Sequence, residues 1–224
     1  MNLNETAVAR SPEAVLSTNK LIRNTYTLLS MTLIFSAVMA MASMAVKVGP
    51  MAHLLSSIGA IALLWLVLPR TANSAAGIGV VFAITGLLGF GLGPILNHYL
   101  AMSNGPQLIA TAAGGTGVIF LALSGYALTT RKDFSFMGGF LMTGLIVVLV
   151  AMIANIFLAI PALSLAMSAV IVMIMSGFIL YDTSRMVHDP YANYLMMTVS
   201  LFLNILNLFT SLLHLLGALS GSDD

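Results

Sequence analysis

The sequence predicts an all-α membrane protein of seven transmembrane helices, and three observations lead there. Of 224 residues, 59% are hydrophobic and only 7% are charged, against about 25% charged in an ordinary soluble domain. The charges fall in a few places, separated by continuous apolar stretches. Those stretches are rich in Leu, Ala and Met and do not alternate, which argues against a β-barrel. This composition excludes a water-soluble globular enzyme, a nucleic-acid binder and a disordered chain. Cysteine is absent, which removes disulfides, thiolate nucleophiles and Cys metal sites.

The gaps between charges count the helices. A span needs about 20 apolar residues at about 1.5 Å each. Arg23 and Lys47 bracket 23 uncharged residues, and Lys47 and Arg70 bracket 22, giving one span each. Arg70 to Arg131 leaves 60, room for two spans with a turn at Ser103-Asn104-Gly105-Pro106. Asp133 to Asp182 leaves 48, again two, divided near Pro161. Asp189 to Asp223 leaves 33, one span ending near Gly217. The expected spans are 25–46, 51–68, 77–99, 107–129, 136–158, 162–184 and 193–217. Residues 1–24 read as a cytoplasmic tail, 25–219 as the transmembrane domain and 220–224 as a short outer tail.

Orientation follows from Lys and Arg. With the N-terminus inside, the cytoplasmic side carries Arg10, Lys20, Arg23, Arg70, Arg131, Lys132 and Arg185, and the outer side only Lys47. An odd helix count then puts the C-terminus outside. The first 24 residues lack the apolar core and cleavage site of a secretory signal.

Few residues remain to carry chemistry. The 16 methionines are scattered along the chain and form no dense cluster with His, as suits flexible gap-fillers. Gly86, Gly89, Gly91 and Gly93 precede Pro94; they read as a close-packing face, or as a helix broken at Gly91-Leu92-Gly93-Pro94 to line a pathway. His53, His98, His188 and His214 fall at different places along the spans, which does not suit a metal site. Ser124 and Ser176 have no evident base, and an aspartyl protease needs a second membrane carboxyl that the chain does not supply. The reading is therefore of no enzyme, no cofactor and no metal site.

Asp182 stands apart, in Leu180-Tyr181-Asp182-Thr183-Ser184-Arg185 near the end of span six. One reading is a helix-end residue partnered by Arg185 at i+3. The other is an intramembrane acid at a pathway mouth. If spans six and seven form a hairpin turning near Asn193, Asp182 and Asn204 lie equally far from the turn and meet inside the bundle.

Four segments carry a family resemblance: LYDTSRMVH at 180–188, SLFLNILNLFTSLLHLLG at 200–217, GPILNHYL at 93–100 and TTRKDFSFMGG at 129–139. With these the chain resembles the Bax inhibitor-1 family, and LSTNKLIRNTYTLLS at 16–30 adds a likeness to its bacterial branch of FtsH-protease modulators. The resemblance covers about residues 15–222. It implies six helices around a central seventh, and a multi-pass protein of the bacterial inner membrane. It further implies that the chain binds a membrane-anchored AAA+ protease of the FtsH type, inhibiting it or competing for it as a slow substrate. Calcium-leak members of the family carry one Asp in the YDT segment and a second in the final helix. Here the first matches Asp182 and the second falls on Asn204, which cannot ionise. A pH-sensitive calcium or cation leak through Asp182 is the alternative expectation, with calcium a partner only in that case.

Overall fold

The computed structural model describes residues 12–189 and 191–220. Among them every regular element is helical. In chain order the helices are α1 (Pro12–Ala45), α2 (Met51–Thr71), α3 (Ala76–Leu100), α4 (Gly105–Thr130), α5 (Met137–Leu158), α6 (Pro161–His188) and α7 (Tyr194–Ser220). Each is long and apolar enough to cross a membrane.

Most ends agree with the apolar runs to within three or four residues, and the breakers act where expected. Gly105 and Pro106 open α4, and Pro161, whose missing N–H is not needed at a first helical position, opens α6. Lys47, Arg131 and Ala159 adopt left-handed backbone angles (φ 49°, 51° and 49°) just past the ends of α1, α4 and α5. The largest difference is at the start: α1 begins at Pro12 rather than 25. Its first two turns, Pro-Glu-Ala-Val-Leu-Ser-Thr, and the Lys20 to Arg23 stretch contain good helix formers. Hydropathy marks the part that crosses lipid, whereas the helix continues past it. Residues 1–11 of the expected tail and 221–224 of the expected outer tail lie outside the described residues.

The chain divides into two compact units. The first comprises residues 1–103 and 188–202; the second comprises 104–187 and 203–224. Helix α7 is thus shared, its residues up to Phe202 going with the first unit and those from Leu203 with the second.

In the first unit, α1 and α3 approach through small residues. A Cβ on Gly89 would strike the backbone of Ser36, and one on Gly93 would strike Ser43. One turn away Gly86 makes room for the Phe35 ring, which meets Phe82 edge-on at 5.4 Å. On another face, Gly91 lies against His53 and Ser56 of α2. These glycines serve packing, as small residues do between membrane helices, and α3 runs through Pro94 as one helix. His53 Nδ1 donates to the Gly91 carbonyl at 2.9 Å, beside the place where Pro94 interrupts the ladder. Helix α2 carries a π-helical turn at Leu63–Val67, where Leu68 N–H reaches back to Leu63. Pro69 follows and cannot donate, and the Arg70 guanidinium curls back onto the Leu66 carbonyl. Asn193 caps α7: its Oδ1 accepts from the N–H groups of Leu195 (2.9 Å) and Met196 (3.2 Å). Its Nδ2 holds the α2–α3 turn through Ala72 O at 2.8 Å and Asn73 Oδ1 at 2.9 Å.

The second unit is centred on an apolar cluster of Val148, Met167, Ile174, Met175, Ile179 and Leu208, from α5, α6 and α7. Glycines again set the approach. Gly138 faces the Tyr181 ring, and a Cβ on Gly177 would meet Leu141 Cδ2 at 2.5 Å.

Candidate functional site

The last turns of α6 place three consecutive polar side chains, Asp182, Thr183 and Ser184, only 3%, 0% and 1% exposed. Neighbouring residues of an α-helix point about 100° apart, so three in a row cannot share one partner. Each finds its own. Asn204 Nδ2 of α7 donates to Asp182 Oδ2 at 2.7 Å. Thr183 Oγ1 lies 3.3 Å from Ser124 Oγ of α4. Ser184 Oγ donates to Lys132 O at 3.0 Å and accepts from Phe134 N–H at 3.0 Å, which pins the α4–α5 loop. That loop is shaped by the left-handed Arg131 and by Asp133 Oδ1, which accepts Ser135 N–H at 2.8 Å. All these groups lie within the second unit.

The structure therefore brings Asp182 and Asn204 together, with Asn204 itself 6% exposed. Arg185 follows on the exposed side of α6. The amide gives the buried carboxyl a partner that is not a second acid. The arrangement joins two membrane helices and does not form a pair of carboxyl groups sharing a proton.

The histidines are dispersed. His53 belongs to the first unit, His98 stacks edge-on with the neighbouring Tyr99 ring at 5.5 Å, and His188 ends α6. Among the described residues no three of His, Asp and Glu gather as metal ligands would. The sequence reading missed one pair. His214 Nδ1 of α7 lies 2.8 Å from Ser168 Oγ of α6. Ser168 gives its hydroxyl proton to the Ser164 carbonyl at 3.1 Å, so it receives the hydrogen bond from the imidazole. A serine held this way is not being activated as a nucleophile, and α5, α7 and α6 up to Tyr181 contain no acid that would orient the ring. The pair is an interhelical contact. Ser124, weighed as a nucleophile, is committed to Thr183.

A family model described as inhibitor of apoptosis-promoting Bax1 matches residues 18–221. The chain is 51% identical over 213 residues to an uncharacterized membrane protein of Vibrio cholerae, covering 95% of this chain and 96% of that one. It is 50% identical over 204 residues to the Escherichia coli K12 protein named modulator of FtsH protease YccA, covering 91% and 92% of the two chains. The matching protein of E. coli O6:H1, equally similar, is named inner membrane protein YccA.

Proposed function

This chain belongs to the Bax inhibitor-1 family of membrane proteins, and from that premise we propose that it binds and modulates a membrane-anchored AAA+ protease of the FtsH type. The observation that carries the reading is the 50% identity, over nearly the whole of both chains, to a protein named as a modulator of that protease. Seven spans and a relative named as an inner membrane protein support a multi-pass place in the bacterial inner membrane. The family description and the relative's name speak of an inhibitor and of a modulator of an enzyme. The excess of Lys and Arg on one set of loops supports a cytoplasmic N-terminus and a periplasmic C-terminus. In this orientation the Asp182 end of α6 and the α4–α5 loop face the cytoplasm, on the side of the protease's ATPase.

Modulation here means occupancy. A chain with much apolar surface and tightly bonded helices is extracted slowly, so a processive protease that has seized its N-terminal segment stays engaged. The leak reading has less support, because Asp182 is partnered by an amide rather than by a second acid.

The test is reconstitution of the full chain with an FtsH-type hexamer. Co-elution from detergent and slower degradation of a second membrane substrate are expected. Deleting residues 2–16 should lengthen the chain's own half-life in a pulse-chase and prolong protection of the other substrate. A chain that neither co-elutes nor slows the protease overturns the proposal.

A further inference from the structure

The α5–α6 turn and the end of α7 line an open cavity of about 460 Å³ in the second unit, at the opposite end of α6 from Asp182. Its volume lies in the range of small-molecule sites, about 300–1,000 Å³. Ile160, Pro161, Leu165 and Ala218 supply apolar walls, and Asn155, Ser164 and His214 supply the polar groups.

Counting hydrogen bonds shows what the polar groups still offer. Asn155 Oδ1 accepts from Ile160 N–H at 3.0 Å, and its Nδ2 gives one proton to Ser164 Oγ at 2.8 Å. These bonds leave the second amide proton of Asn155 and the hydroxyl proton of Ser164 as donors. His214 uses Nδ1 toward Ser168, so Nε2 is its remaining ring nitrogen, a hydrogen-bond acceptor when Nδ1 carries the proton. No Asp, Glu, Lys or Arg occurs in α5, in α7 or in α6 before Asp182. The cavity thus offers two donors and one ring-nitrogen acceptor, without a fixed charge. The start of α6 at Pro161 adds a dipole that favours negative charge. A free carboxyl group matches this set: two acceptor oxygens for the donors, and one proton to share with the imidazole. The stretch of α5 between the lining residues Asn155 and Ala159 says what is attached to that carboxyl. Ile156, Phe157 and Leu158 are 75%, 84% and 58% exposed, and in a membrane-spanning chain such surface faces acyl chains.

We propose that this cavity binds the carboxyl end of a long-chain carboxylic acid drawn from the surrounding leaflet, its chain lying along the apolar tip of the α5–α6 hairpin. The site stands independently of the protease reading. The test uses the full chain in phosphatidylcholine nanodiscs with a diazirine-bearing palmitate, the crosslink mapped by peptide mass spectrometry. Labelling should fall within about 155–165 and 212–220. Palmitate should compete about ten-fold better than methyl palmitate, which lacks both the charge and the proton, and acetate, which lacks the chain, should not compete; ten-fold corresponds to about 1.4 kcal/mol. His214→Leu should lower labelling about ten-fold, and Ala218→Trp, which fills the cavity, should abolish it. Equal competition by methyl palmitate, or unchanged labelling in Ala218→Trp, would overturn the proposal. Should His214→Leu fail to fold, the Ala218→Trp and competition measurements carry the same decision.

Discussion

Asn204→Leu removes the amide that reaches Asp182 Oδ2 at 2.7 Å and leaves the carboxyl buried, 3% exposed, with its remaining partners. Two magnitudes compete. A hydrogen bond to a charged group is worth about 1.5–3 kcal/mol in soluble proteins. Interhelical bonds in membranes average about 0.6 and reach about 1.7 kcal/mol, because the unfolded chain finds other partners in lipid. The short distance and the burial of both residues put this bond near the upper membrane value, about 1.5 kcal/mol. Each single change, Asn204→Leu or Asp182→Leu, should then cost about 2 kcal/mol, since a buried polar group loses its partner. The double change should cost about 2.5 kcal/mol rather than the additive value of about 4 kcal/mol, the difference being the bond's own 1.5 or so. Reversible unfolding by SDS in mixed micelles, followed by far-ultraviolet circular dichroism, yields the three differences and hence the coupling. A coupling below about 0.5 kcal/mol would refute the claim that this pair ties α6 to α7.

Three other outcomes are expected. Gly89→Leu should destabilise the fold by about 2–3 kcal/mol by overpacking, since its Cβ meets the Ser36 backbone, whereas Gly114→Leu, whose Cβ meets nothing within 4 Å, should stay within about 0.5 kcal/mol in the same unfolding assay. A periplasm-only reporter should be active when fused at Asp224 and silent in the Arg131 loop; the reverse pattern overturns the orientation. In proteoliposomes the natural chain should show little pH-gated calcium entry. Asn204→Asp should raise entry at neutral pH by supplying a second carboxyl oxygen pair, and Asp182→Asn in that background should remove the gain. Strong gated entry in the natural chain, unaffected by Asp182→Asn, would contradict this reasoning.

The helices were legible because lipid tolerates so few charges that the charges themselves mark the turns. What hydropathy does not mark is where a helix stops once it leaves lipid. Lys20 and Arg23 end the apolar run of α1 but not its helix, and Arg185 does the same in α6, which continues to His188. Asp182 facing Asn204 was legible by counting outward from a hairpin turn at Asn193. The same count sets Ser168 opposite Ala218, but its partner is His214, one helical turn away. Between the two contacts run fourteen residues of α6 but ten of α7, so the helices do not advance together. A count along the sequence holds near the turn and loses about one turn farther away. The cavity by the α5–α6 turn was illegible for a related reason. Asn155 and Ser164 are close in sequence, but His214 joins them only once that stagger is known.

The three bonds of Asp182, Thr183 and Ser184 also bear on how α6 can move. A helix held on one face can roll about its axis and exchange one neighbour for another. One anchored on three sides within a single turn has no direction of roll that spares all three anchors. Rotation there is all or nothing. A small tilt of α6 is passed on to α7, to α4 and to the α4–α5 loop together. A force applied to that loop from outside the membrane arrives at Asp182 as a displacement of the whole joint. Strain at this end is shared among the helices and cannot be released by one side chain swinging aside.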